Sequence, residues 1–481
     1  MSEHAKAFKP SLRLFDATMI VAGSMIGSGI FIVSTDIVRN VGSAGWLIVV
    51  WCLTGLMTVI AAVSYGEMSG MFPKAGGQYV YLKEAFNPLA GFLYGWSSFT
   101  VIQTATIAAV GVAFSRFTAY LIPGFGENVN VFTLKHFNVS AAQVLAIALI
   151  LFLTYTNTKG IKGGKIIQTT FTTVKLLSLF GLVILGFLLV KHSFWAENWQ
   201  TGMHSTQLEK ADGKFVTHGN WFPIGGTVLI GAIAASMVGS LFSSDAWNNV
   251  TFIAGEIKNP KRNIGLSLFL GTFIVSVIYI SANLMYLNAL PLDQIAFPGG
   301  DRVAVAASDA IFGNGGSMVI AIMIMVSTFG CNNGLILAGA RVYYTMAKDG
   351  LFFRKAGLLN KYAVPEWALW AQAIVACILC LSGGYNDLLD MIAFVVVIFY
   401  VLTIIGIFGL RIKKPDADRP YKAFGYPYLP ALYIIMGLIF CIFLVIFKPL
   451  YTLWGLGIVL VGIPVYYVAI SGQKKNEIKI E

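Results

Sequence analysis

Gly27-Ser28-Gly29-Ile30-Phe31 interrupts an apolar run, Leu14 to Val38, that is otherwise long enough to cross a bilayer. Two glycines and a serine favour irregular backbone over helix. Backbone polar groups in hydrocarbon must be satisfied, so unwound chain persists there only against protein or a wet cavity. Working outward, a second interruption, Ser243-Ser244-Asp245-Ala246-Trp247-Asn248, lies inside another apolar run far along the chain. Two interrupted spans at matching positions in two halves mark a place where a polar solute can be held near mid-membrane.

The composition agrees. The chain has 481 residues, 57% apolar and 11% charged, with a mean hydropathy of +0.76. That excludes a soluble domain and requires many membrane spans. At about 20 apolar residues per crossing, spans are expected at 15–38, 44–66, 88–120, 140–156, 166–191, 223–253, 264–290, 316–345, 365–383, 386–410, 425–447 and 450–471. No A-x-A-like cleavage site follows the first run, which reads as a retained helix rather than a signal peptide. With a cytoplasmic N-terminus, 23 of the 33 Lys and Arg fall in cytoplasmic segments and 8 outside, while Lys175 and Arg341 lie within spans. This positive-inside bias implies both termini in the cytoplasm and a multi-pass protein of the cell membrane. The net charge of +11 therefore sets topology. The lipid bilayer is the expected partner, and no nucleic acid is.

Several chemistries are excluded by what the spans lack. Cys52, Cys331, Cys377, Cys380 and Cys441 all lie in apolar runs and read as small buried hydrophobes. The five histidines, at 4, 136, 192, 204 and 218, lie in termini or loops. No metal site follows, and Gly160 to Ile166 lacks the Walker spacing, so no ATP motor and no cofactor are expected. The ionisable groups within spans, mainly Asp245, Lys175 and Arg341, form no catalytic set, so the chain is not read as an enzyme. A receptor that binds without transporting would need a signalling domain or long tail, and neither is evident.

The longest segment outside the spans, about 192–222, divides the first ten spans into two sets of five, each beginning with an interrupted helix. An odd number per set forces the second to be inverted. The expected division is a tail at 1–14, a core at 15–410 made of repeats at about 15–191 and 223–410, spans 11 and 12 with their preceding loop at 411–471, and a tail at 472–481. Between spans 2 and 3, the Gly- and Pro-rich stretch Gly66 to Tyr79 is expected to be irregular. It is read either as a turn-rich loop or as a gate dipping into the membrane.

Five stretches carry a resemblance. They are Val21-Ala22-Gly23-Ser24-Met25-Ile26-Gly27-Ser28-Gly29-Ile30-Phe31, Met71 to Tyr81, Asp245 to Asn249 followed by Glu256 to Asn263, Arg341 to Gly350, and Arg419 to Pro427. In this order they resemble the amino acid, polyamine and organocation transporter superfamily, and within it the L-type amino acid transporter family. The likeness runs from about residue 12 to 470. It implies an all-α membrane protein of 12 transmembrane helices in a LeuT-like 5+5 inverted repeat with discontinuous helices 1 and 6. It also places the substrate at the two breaks.

A zwitterionic amino acid presents a carboxylate and an ammonium. Amides freed at Gly27, Ser28 and Gly29, with the positive end of the following half-helix, suit the carboxylate, and Ile26 beside them is counted with the substrate-binding residues. Carbonyls freed around Phe242, Ser243 and Ser244 suit the ammonium. By resemblance, Phe242 is an aromatic gate covering the substrate, and Lys175 takes the place of a sodium ion and ties span 5 to the break in span 1. Asp245 either binds unwound amides of its own helix or carries a coupling proton; the resemblance favours the first. Asn333 either borders the pocket or bonds helix to helix. L-type carriers join a glycoprotein through a cysteine between spans 3 and 4. The corresponding loop, 121–139, has none, so no disulfide-linked heavy chain is expected. The resulting expectation is a sodium-independent exchanger of small or medium neutral L-amino acids working by alternating access. Proton-coupled symport through Asp245 or Glu67 and transport of cationic amino acids or amino-sugar conjugates are the alternatives.

Overall fold

The computed structural model, described for residues 10–134, 137–211, 214–382 and 385–477, carries a helix on each of the twelve expected runs. The expected tails at 1–14 and 472–481 fall in part outside these residues. Span 1 is split into Leu14–Met25 (1a) and Ser34–Val41 (1b), and span 6 into Gly226–Ser243 (6a) and Asn249–Phe252 (6b). Spans 2 to 5 are Ala44–Met71, Pro88–Leu121, Ala141–Thr158 and Ile161–Leu189. Spans 7 to 12 are Pro260–Ala289, Asn314–Lys348, Glu366–Ser382, Tyr385–Lys413, Tyr428–Phe447 and Pro449–Glu477. Local chemistry sets several starts. Ser43 accepts from Trp46 N–H at the head of span 2, Asn87 from Ala90 N–H before Pro88 of span 3, and Ser140 and Gln143 close a capping box on span 4.

Equivalent members of the two halves pack on each other: span 2 on span 7, span 3 on span 8, and 1b on 6a. That is the pairing an inverted five-plus-five repeat produces. Span 3 is central, with 83% of its apolar window buried against 22% for span 12. It widens into a π-turn at Ser98–Ile102, a local device often found beside functional sites.

The stretch 66–79 differs from its expected irregularity. Span 2 stays helical to Met71, residues 72–77 turn, and a second helix, Gln78–Ala85, follows. Gly66 does not break the helix because its role is close packing: a Cβ there would lie 2.7 Å from the Tyr421 ring. Gln78, Tyr79, Tyr81 and Leu82 are all fully buried, so this segment re-enters the protein instead of lying on its surface. Glycine is required in the turn. Gly77 has φ +45°, and a Cβ on it would sit 2.1 Å from Thr251 Oγ1 of 6b.

On the opposite face, 192–222 folds into the helix Trp195–Gln200 and two small antiparallel ribbons. It is anchored where Asn198 Nδ2 donates to Leu287 O and Leu290 O, and where Gly45 N–H donates to Gly202 O. On the face of the N-terminus, the buried Glu67 of span 2 receives Arg411 Nε at 2.9 Å and Nη2 at 2.6 Å. Arg419 Nε lies 3.3 Å from the same carboxylate, and Ala423 N–H donates to it at 2.8 Å.

Candidate substrate site

Span 1a stops at Met25, which leaves the carbonyls of its last turn without helical partners. Side chains from three other spans donate to them. Lys175 Nζ of span 5 donates to Gly23 O at 2.5 Å and to Ile26 O at 2.8 Å. Cys331 Sγ of span 8 reaches Ser24 O at 3.2 Å, and Ser327 Oγ of the same span reaches Ile26 O at 3.2 Å. The Tyr279 hydroxyl of span 7 lies 3.1 Å from Met25 O and 3.0 Å from Ser243 O, so one proton is shared between the two breaks. Lys175 is 1% exposed, and its ammonium keeps hydrogen bonds that a buried charge needs.

Beyond the break, backbone pairing resumes with Phe31 N–H on Ser28 O at 3.1 Å. The amides of Gly29 and Ile30 find no acceptor among the described residues. They open the short 3-10 turn Gly29–Phe31 that leads into 1b, and free amides of this kind suit an anion. A Cβ on Gly29 would lie 1.9 Å from Ser243 Oγ, so the two interrupted helices touch here and only glycine permits it.

Span 6a ends at Ser243, and Ala246 follows in the left-handed region at φ +63°. Asp245 Oδ1 accepts from Tyr400 Oη of span 10 at 2.5 Å. Asn248 Nδ2 donates to Gln78 Oε1 at 2.9 Å, and Gln78 Nε2 donates to Thr403 Oγ1 at 3.1 Å. The re-entrant helix is thereby tied to the second break and to span 10. One cavity of about 20 Å³ is lined by Phe242, Ser244, Asp245, Trp247 and Tyr400 among others. Another of about 10 Å³ is lined by Gln78, Gln103, Asp245, Asn248 and Asn249 among others. Each has room for roughly one water molecule.

Of the residues singled out in the sequence, Ile26, Gly27, Ser28 and Gly29 form the first break, but the Gly27 amide is not free as expected: it donates to Met25 O at 2.8 Å, as the Ile26 amide does to Ala22 O at 3.0 Å, because the chain turns tightly as 1a ends. Phe242, Ser243, Ser244 and Asp245 form the edge of the second, and Lys175 reaches the first. Ser243 O is already engaged by Tyr279. Asn333 lies apart: its Oδ1 accepts from Asn157 Nδ2 of span 4 at 2.8 Å, and it lines neither cavity. Tyr279, Ser327, Cys331, Tyr400 and Gln78 were not anticipated. The available signal was a polar atom inside an apolar run, which must find a partner when buried.

Comparison with known proteins adds the family. The model of the amino acid permease family matches residues 12–453. The large neutral amino acids transporter small subunit 2 of Oryctolagus cuniculus is 29% identical over 476 residues, covering 98% of this chain and 82% of that protein. The b(0,+)-type amino acid transporter 1 of Mus musculus is 27% identical over 464 residues, covering 95% and 87%. The Asc-type amino acid transporter 1 of Mus musculus is 26% identical over 470 residues, covering 98% and 83%. With two interrupted helices in contact at their breaks and a match over nearly its whole length, the chain belongs to the amino acid permease family.

Proposed function

We propose that this protein exchanges small or medium neutral L-amino acids across the cell membrane without sodium, with both termini in the cytoplasm. The observation that carries the sodium-independent part is the Lys175 ammonium on Gly23 O and Ile26 O, beside Ser327 Oγ. A fixed cation there occupies an oxygen cluster of the kind an alkali ion would need. The substrate carboxylate is taken by the Gly29 and Ile30 amides of the turn that leads into 1b. The ammonium is taken by carbonyls at the end of 6a, with the Phe242 ring closing over the solute. Asp245 braces the second break through Tyr400, which supports a structural role for it. Glu67 is held by two arginines and a backbone amide, which supports a structural role for it too. The names of the relatives support an amino acid substrate, and one of them names neutral ones. One relative is named a small subunit. The absence of cysteine from 121–139 supports a carrier with no disulfide-linked heavy chain. Because Gly29 and Ser243 are in contact, the solute enters by the breaks parting, which is alternating access by one helix group rocking against the other.

Counter-flow in proteoliposomes tests this. Labelled neutral amino acid should enter only vesicles preloaded with amino acid, and equally well when choline replaces sodium. Uptake into empty vesicles driven by a pH gradient, or a strict sodium requirement, would overturn it.

A further inference from the structure

A groove of about 490 Å³ lies between spans 2 and 7 and the loop before span 11. Its walls are Val63, Leu266, Phe269, Tyr421 and Phe424, and two cations, Lys261 and Arg262, stand at its mouth. Gly265 and the backbone of Gly66 meet along its floor, a Cβ on Gly265 lying 3.4 Å from Gly66 Cα. Val63 is eight residues from the end of span 2 and Phe269 nine from the start of span 7. At helical rise the groove runs roughly 12 Å from the polar face into the hydrocarbon. Phe269 is 39% exposed and Phe424 is 69% exposed, so apolar surface is left open along that whole depth.

The mouth is basic. Among the described residues, the Arg262 side chain has no hydrogen bond or ion pair, and neither do the nearby Lys258 and Lys422. Lys261 meets Asp418 at 3.0 Å, but with both side chains more than half exposed that pair is weak and exchangeable. We infer that the groove binds one anionic phospholipid, its phosphate on Arg262 and Lys261 and an acyl chain along Leu266, Phe269 and Val63. Basic pockets between spans at the membrane surface recognise such headgroups. The lipid would also brace the 415–424 loop, whose Arg419 and Ala423 hold Glu67.

The probe is phosphatidylglycerol titrated onto the full-length protein in phosphatidylcholine nanodiscs, read by native mass spectrometry and by melting temperature. One phosphatidylglycerol should be retained and raise the melting temperature. At roughly five-fold in affinity per basic side chain, about 1 kcal/mol each, Lys261→Ala with Arg262→Ala should weaken binding about 25-fold. Leu266→Trp, which fills the groove, should block it. Lys355→Ala with Lys361→Ala, on the same face, should leave it unchanged. Equal retention of phosphatidylcholine, or equal phosphatidylglycerol affinity in the Lys261/Arg262 variant, overturns the proposal. So does a dimer that Leu266→Trp dissociates, because a second copy would then fill the groove. If Leu266→Trp does not fold, the exposed charge variant alone decides.

Discussion

Replacing Lys175 by alanine separates a fold-holding role from a transport role, because the energies involved nearly cancel for the first and not for the second. The variant loses two hydrogen bonds from an ammonium, to Gly23 O and Ile26 O. Bonds to charged groups are each worth roughly 1.5–3 kcal/mol, so about 3–6 kcal/mol of local stabilisation disappears. Removing a lysine from mid-membrane returns about 2.5–3.5 kcal/mol on insertion scales. Ser327 Oγ still serves Ile26 O, which limits the damage further. Global stability should therefore fall by only about 0–3 kcal/mol. The tie between span 5 and the break is lost in full, however, and 3 kcal/mol at this one place is worth roughly 150-fold in a conformational equilibrium. Expected is normal membrane expression, a modestly lower melting temperature, and counter-flow reduced about 100-fold or more at equal protein per vesicle. Parental counter-flow in the variant would refute the reasoning, as would a loss of transport matched by loss of folded protein.

Three further outcomes are expected. Gly29→Ala places a methyl group 1.9 Å from Ser243 Oγ, so the breaks cannot meet, and amino acid binding measured by thermal shift should weaken at least about ten-fold. Tyr279→Phe deletes the hydroxyl shared by Met25 O and Ser243 O. Met25 O keeps the Gly27 N–H at 2.8 Å but Ser243 O loses this donor, so the change should cost about 1–3 kcal/mol and should slow counter-flow more than Asn333→Ala does. Ala246→Gly relieves a left-handed alanine at φ +63° and should stabilise the protein by about 1 kcal/mol, seen as a higher melting temperature in detergent.

The breaks were legible because glycine, serine and aspartate stand out inside apolar runs, and hydrocarbon tolerates no unpaired backbone without a reason. Span boundaries were legible because bilayer thickness fixes length. The donors that satisfy the first break were not. Tyr279, Ser327 and Cys331 look like other small or aromatic residues of a span, and only the packing of spans 7 and 8 on span 1 gives them their role. Gly66 misled in the opposite direction: read as a helix breaker, it is a contact surface for Tyr421, since packing outweighs a propensity cost of about 1 kcal/mol. Asn333 read equally as a pocket residue or a helix-to-helix bond, and its pairing with Asn157 could not be inferred from one chain position.

Glu67 has a consequence for where this chain can be cut. Spans 11 and 12 look like an appendage to a ten-helix machine, and truncating after Lys413 is the obvious way to make a minimal carrier. Such a cut would remove Arg419 and the Ala423 amide and leave a carboxylate that is 1% exposed with Arg411 alone, at a new and fraying end. Stripping partners from a buried ion costs about 3–5 kcal/mol. The loop that leads into span 11 therefore acts as ballast for the first ten helices, and a version cut before it should aggregate unless Glu67 is neutralised at the same time.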